Sequence, residues 1–473
     1  MSQEPLVDSK ESSTSRTRTS GSSSENESDD SFKTRLDPDY PYLSLTESDR
    51  EAILDSLGCD SYDDLEADVP QSLKTEFTPS SDARTEESVY TWHQQNSARN
   101  RTTDDLTCFL GGGLYDHYVP STVTNLLGRT EFLTSYTPYQ SEINQGTLQA
   151  MFEFQSMISE LTQLPVTNAS MYDGATAFAE ACLMAINVTR RDTIYYSPNL
   201  YDSWIGTLKS YAKPHGWTLR ELPSNNGVAR LPNSWEEEPA AVALGYPNKF
   251  GLADSVTEWS EARPDDEAVG IAGINPLAMG LLTPPGDLGM DVAVGEGQPL
   301  GLPLQGGAPQ LGLFSAAERF VRRMPGRLVG ETQDRRGNRS YVLTLQTREQ
   351  HIRRERATSN ICTNHALLTI GVSIALATFG PDGIRRRAHL NHRQGQSLKS
   401  ALSEQGLNVL GNPIFNEVTV EADSADSQVN SILSDNGMMG GFWSDNRYIC
   451  AATERRSDEE IEAFAREVAK ALE

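Results

Sequence analysis

Short β-forming runs recur through the middle of the chain at Thr193–Ser197, Trp217–Leu222, Ala240–Leu244, Ala268–Ile274 and Val292–Val294, separated by helix-prone or loop segments. Strands that alternate with helical pieces predict an α/β domain built on a largely parallel sheet. Two helices precede the series. Gly146–Thr162 repeats Leu148, Met151, Phe152, Phe154, Met157, Ile158 and Leu161 at helical spacing, and Ala175–Asn187 is rich in Ala. This grammar holds from residue 108 to 347, and such sheets seat ligands outside the carboxyl ends of their strands.

After residue 348 the pattern changes to a smaller α+β domain, 348–473. A helix over Asn364–Phe379 stops at Gly380-Pro381, and a second runs from Asp382 to Gln405. Strand-like pieces follow at Leu407–Leu410 and Ile414–Val420, then a helix over Ala425–Ser434, a strand at Tyr448–Ala452 and a closing helix over Asp458–Leu472. At the other end, residues 1–36 are a Ser-rich acidic tract with too few apolar residues to offset ordering entropy, which predicts disorder. Residues 37–107 read as a helical arm. Thr46 and Asp49 mark a helix start, and a polar stretch over Thr75–Glu87 leads to a helix over Ser88–Asn100.

The charge balance narrows the function. The 473 residues carry 66 Asp and Glu against 40 Lys and Arg, a formal net charge of -26. A surface this negative repels phosphate backbones, so nucleic acid is not an expected partner. Only eight of the basic residues are Lys and 32 are Arg. Excess carboxylate with scarce Lys suits concentrated salt, where the Debye length falls to about 3 Å at 1 M. A halophilic source is expected, with stability that rises in molar KCl. Five scattered cysteines without a C-x-x-C pair predict reduced thiols and a cytoplasmic protein. No leader opens the chain, and the apolar run Ala366–Phe379 is shorter than the ~20 residues of a membrane span, so no membrane association is expected.

Several segments invite chemical readings. Gly111–Tyr118 and Asp173-Gly174-Ala175-Thr176 place glycines where backbone N–H groups can hold an anion, yet neither fits a dinucleotide or Walker motif. Taken alone, each reads as a tight turn. The seven His residues form no H-E-x-x-H, and His389 and His392 lie beside three arginines, so no metal is expected. Arg348–Arg356 alternates in sign on a helix, as a solvated face or as a dock for an acidic partner. Tyr136–Gly146 packs two phenols, a carboxylate and two amides ahead of a helix, either lining a pocket or capping that helix.

Together these segments resemble one family, the glycine dehydrogenase (decarboxylating) or P-protein of the glycine cleavage system, and within it the α chain, subunit 1 of the two-subunit form. The matching stretches are Phe109–Pro120, Glu131–Gly146, Asn168–Thr176, Gly295–Gly301, Arg323–Glu331 and Leu343 through Arg354 to Asn364. The resemblance covers residues 40–473. It implies a pyridoxal-phosphate-dependent transferase fold of type I, aspartate-aminotransferase-like. It also implies a reaction in which glycine loses carbon dioxide and the aminomethyl group passes to the lipoyl arm of the H-protein, with the cofactor as electron sink.

That chemistry needs a Lys to hold the cofactor as an imine. None lies between Lys249 and Lys399, and Pro299 falls about where the catalytic sister chain carries it. A carboxylate is also expected at the pyridinium nitrogen, where Asn275 stands instead. The resemblance therefore implies no catalytic residue and no covalently held cofactor in this chain, with pyridoxal phosphate on subunit 2 in a heterodimer or a heterotetramer. Asp173, Gly174 and Thr176 are then a vestigial phosphate cradle. Tyr136, Tyr139, Glu142 and Gln145 are candidates to wall the partner's glycine pocket. Lys249 reads as a surface residue after a strand. It also leaves two alternatives open: a self-sufficient enzyme that uses Lys249, or a non-catalytic scaffold subunit.

Overall fold

The computed structural model describes residues 45–75, 84–305, 310–346, 350–362, 365–422 and 428–472. The Ser-rich tract and the start of the Ala425–Ser434 helix lie outside them. Two compact bodies divide at Gln95/Asn96. The first contains α1 (Glu47–Leu57). Thr46 caps it in a reciprocal box with Asp49, as its sequence signature predicts, and Gly58 ends it at φ 70°. The second helix, α2 (Glu86–Ser97), ends three residues before the expected Asn100. Neither helix buries a residue.

In the second body the seven-stranded sheet runs through β1 (Val166–Thr167), β2 (Thr193–Tyr196), β3 (Thr218–Glu221), β4 (Pro239–Tyr246), β5 (Val269–Ile274), β6 (Val292–Glu296) and β7 (Gly312–Ala316). Its spatial order is β1-β7-β6-β5-β4-β2-β3. All five β-forming runs of the sequence are strands of this sheet, and they pair in parallel. Strand β7, which the sequence reading missed along with the two-residue edge strand β1, lies between β1 and β6 and runs antiparallel to both. Alternation along the strands separates two apolar layers. Tyr195, Val242 and Leu244 face α3 (Gln145–Thr162), whereas Ile194, Tyr196, Ala241 and Ala243 face α4 (Gly174–Thr189) and α5 (Asp202–His215). An antiparallel hairpin, β8 (Leu328–Gln333) with β9 (Arg339–Thr344), leans on α3.

The C-terminal portion begins with α6 (Ala366–Glu404), which breaks at Gly380 (φ 61°, ψ 177°), where the sequence predicts two helices. By length and composition α6 could cross a membrane, but its apolar half buries Ile370, Val372, Ala375 and Leu376 in the core. Three antiparallel strands follow, β10 (Glu417–Glu421), β11 (Phe442–Ser444) and β12 (Arg447–Ala451), in the order β10-β12-β11. They pack with α7 (Gln428–Asp435) and α8 (Asp458–Leu472) around Phe109, Val418, Tyr448 and Phe464.

Three expectations change. Leu407–Leu410 is not a strand but makes one bridge, Val409 to Val420. Of the Arg348–Arg356 helix, Arg348 and Glu349 lie outside the described residues; Gln350–Arg353 is helical and a 3-10 turn follows, because Arg354 turns to φ 52°. The expected border at 107/108 falls inside the second body. Thr107 and Cys108 pair with Met438 and Met439, and Arg101 donates to the Ser434 carbonyl at 2.7 Å.

Candidate functional site

A cavity of about 190 Å³ opens at the carboxyl ends of the parallel strands. That is where ligands of open α/β sheets bind, although it is below the ~300–1,000 Å³ usual for drug-sized ligands. Its walls come from the 112–115 loop, the first turn of α4, the start of α5 (Tyr201, Ser203, Trp204), the end of β5 (Asn275, Pro276) and the end of β6 (Glu296, Pro299). Among the described residues no Lys, Arg or His lines it.

The first turn of α4 is already engaged. Asp173, in extended backbone at the cap position, accepts the Thr176 N–H at 2.6 Å. Gly174 donates its N–H to Glu296 Oε2 at 3.1 Å, and Leu311 donates to Glu296 Oε1 at 2.8 Å. Burial pushes the Glu296 carboxyl up to about 8. Gly174 has a steric reason as well. A Cβ there would stand 2.6 Å from Trp204 Cζ2, and one on Gly273 would stand 2.9 Å from Trp204 Cζ3. The indole thus presses on both backbones.

Pro299 is buried in a 3-10 turn in the wall and presents no amine. Beside it, Gln298 exchanges bonds with the backbone of Tyr115 at 3.0 and 2.9 Å, which ties the 112–115 loop to β6. Asn275 accepts the Leu277 N–H on Oδ1 at 3.1 Å. That bond fixes the amide orientation and leaves Nδ2, a donor, on the side of the Tyr115 phenol.

A second carboxyl closes the far side. Glu417 of β10 accepts the Gly112 N–H at 2.7 Å and the Tyr201 hydroxyl at 3.0 Å, while Tyr115 shares a hydroxyl contact of 3.1 Å with Tyr201. Burial pushes Glu417 up to about 7. The same burial, with Glu417 alongside, raises both phenols well above their ordinary value.

The structure brings Asp173, Gly174, Asn275 and Pro299 together around one cavity. Thr176 contributes only its backbone N–H. Tyr136, Tyr139, Glu142 and Gln145 are absent from the cavity's walls. Tyr136 is 72% exposed, and Glu142 is exposed too. Tyr139 takes a 2.8 Å bond from Arg327. Gln145 does not converge with the phenols but latches α3 to β9 through the backbone of Tyr341. Lys249 is not a surface residue. It is 2% exposed, and its Nζ lies 2.7 Å from Asp202 and 3.1 Å from Asp445. Sequence reasoning missed Glu296, Glu417, Tyr201 and Trp204. A carboxylate inside the apolar run of Ile414–Val420 was a visible signal for Glu417.

The family model described as "Glycine cleavage system P-protein" matches residues 40–468. "Probable glycine dehydrogenase (decarboxylating) subunit 1" of Geobacillus sp. (strain WCH70) is 40% identical over 441 residues, covering 91% of this chain and 98% of that one. The protein of the same name from Staphylococcus aureus (strain USA300) is 41% identical over 437 residues, covering 90% and 98%. Among solved structures, glycine decarboxylase (P-protein) of the glycine cleavage system, in inhibitor-bound form, superposes with a TM-score of 0.83 at 37% identity, over 91% of this chain and 100% of that one. A cysteine desulfurase from Thermococcus onnurineus shares the fold at 15% identity (TM-score 0.58; 78% and 95% covered). The architecture is that of pyridoxal-phosphate enzymes of fold type I.

Proposed function

Because the chain belongs to the glycine cleavage system P-protein family, we propose that it serves as subunit 1 of glycine dehydrogenase (decarboxylating), in a cytoplasmic complex whose second subunit carries the pyridoxal phosphate. That complex removes carbon dioxide from glycine and passes the aminomethyl group to the lipoyl arm of the H-protein. The names of its relatives support the activity, and "subunit 1" implies a second chain.

The residues of the cavity do not fit the cofactor. Among the described residues no amine lines it, and Asn275 presents an amide where a protonated ring nitrogen needs a carboxylate. Trp204 presses on the strand and helix backbones, and Glu296 holds the first amide of α4. No step of the reaction is therefore assigned to this cavity. The observation that carries the reading is the pairing of Pro299 with a helix start already bonded to a carboxyl. What the chain contributes is shape: the exposed loop with Tyr136, Tyr139 and Glu142 can wall the partner's pocket and keep water out.

The self-sufficient alternative would need Lys249 free, but two carboxylates hold its ammonium and it does not line the cavity. Glycine-dependent carbon dioxide exchange tests the proposal. The chain alone is expected to be inactive and to become active on co-expression with subunit 2. Exchange by the chain alone, or Schiff-base absorbance abolished by Lys249→Ala, would overturn it.

A further inference from the structure

A helix start at the carboxyl edge of a parallel sheet is an anion seat by construction, since its first N–H groups have no partner within the helix. The α4 helix has 16 residues and opens onto the cavity in this way. Its seat is filled from within. Asp173 takes the Thr176 amide and Glu296 takes the Gly174 amide. Leu311 grips the other Glu296 oxygen at 2.8 Å, so both carboxyl oxygens are committed and the side chain is held from two elements at once.

We propose that Glu296 is a built-in occupant of this anion seat, which excludes phosphate and phosphate esters from the cavity. The inference deepens the proposed division of labour between subunits and rests on it for its purpose, which is to leave the cofactor no second place to lodge. Three further features point the same way. Among the described residues no basic side chain lines the cavity to neutralise a dianion. The Asp173 carboxyl lines the cavity beside the same helix start. The Glu296 side chain is buried, which raises its carboxyl to about 8, and with both oxygens bonded it fills the seat by its bulk. Occupancy therefore does not depend on charge.

The test is titration of the full-length chain with inorganic phosphate, followed by phosphorus NMR and calorimetry. Wild type is expected to show no saturable binding. Glu296→Ala and Glu296→Ser vacate the seat and are expected to bind phosphate at least about tenfold more tightly, the worth of an anion at a helix start. Using both keeps the test open should one fail to fold. Glu296→Gln preserves shape and one acceptor, and is expected to remain closed. Saturable phosphate binding by wild type would overturn the proposal, as would no gain in the folded shortened variants. Equal gain in the Gln variant would overturn it too, in favour of plain charge repulsion. Carbon dioxide exchange is not read in this titration, so its failure leaves the subunit assignment standing.

Discussion

Lys249 donates from Nζ to Oδ1 of Asp202 at 2.7 Å, reaching from the end of β4 to the first turn of α5. A second bond, to Asp445 at 3.1 Å, extends the tie to the β11–β12 turn. The ammonium is buried while both carboxylates are more than 60% exposed, so solvent screens part of the attraction. Lys249→Ala is expected to cost about 1–3 kcal/mol, below the loss of a fully buried pair. Urea midpoints check this. The same variant is expected to leave the visible absorbance of the cofactor-mixed chain unchanged.

Glu296 and Glu417 give the stability a defined alkaline slope. Both carboxyls hold their protons in the folded chain up to about 8 and about 7, against 4.5 as the ordinary value. Their contribution is therefore complete below about pH 4.5 and is lost as pH rises through 7 and 8. A decline on the order of a few kcal/mol is expected between pH 5 and 8.5. Glu296→Gln with Glu417→Gln is expected to flatten it. Thermal melts across this range decide, and a decline unchanged in the double variant would refute the assignment.

The Tyr136–Gly146 loop separates into two roles. Gln145 donates to the carbonyls of Ser141 and Tyr341 and accepts the Tyr341 N–H. Gln145→Ala strands part of the β9 backbone and is expected to cost about 1–3 kcal/mol. Tyr136→Ala and Glu142→Ala, both at exposed positions, should change stability by less than about 0.5 kcal/mol. If the loop walls the partner's pocket, they lower kcat of the complex by about tenfold or more. Unchanged turnover in an intact complex would assign the loop no catalytic part.

What was legible in the sequence follows from how local the determinants are. The parallel strands β2 to β6 were readable as short β-forming runs, and the helices α3, α4 and α8 from apolar spacing or Ala content within their own segments. Strand β7 was not, since its antiparallel place between β1 and β6 is set by those neighbours and not by its own pattern. Leu407–Leu410 misled because it is apolar but has only one bridging partner. At the site, the sequence singled out Pro299, which lines the cavity, whereas Glu296 was not picked out. The meeting of Glu296 with Gly174 spans 122 residues and exists only once β6 lies beside α4. Lys249 was misplaced for the same reason, its partners being 47 and 196 residues away.

Glu454 predicts an acid slope of the opposite sign. Burial would push its carboxyl up, but His117 at 2.8 Å and Arg387 at 2.8 Å outweigh it and hold it far below the ordinary carboxylate range. Asn391 and the Tyr118 amide complete the set, joining the 117–118 loop, α6 and the C-terminal segment. The stability this carboxylate supplies is present above about pH 4.5 and drains away as pH falls through its folded value. Glu454→Gln leaves the Arg387 guanidinium buried without its counter-charge, and is expected to cost about 3–5 kcal/mol at pH 7. Urea midpoints at pH 7 test this, and a deficit below about 1 kcal/mol would show that the ion pair is not the source.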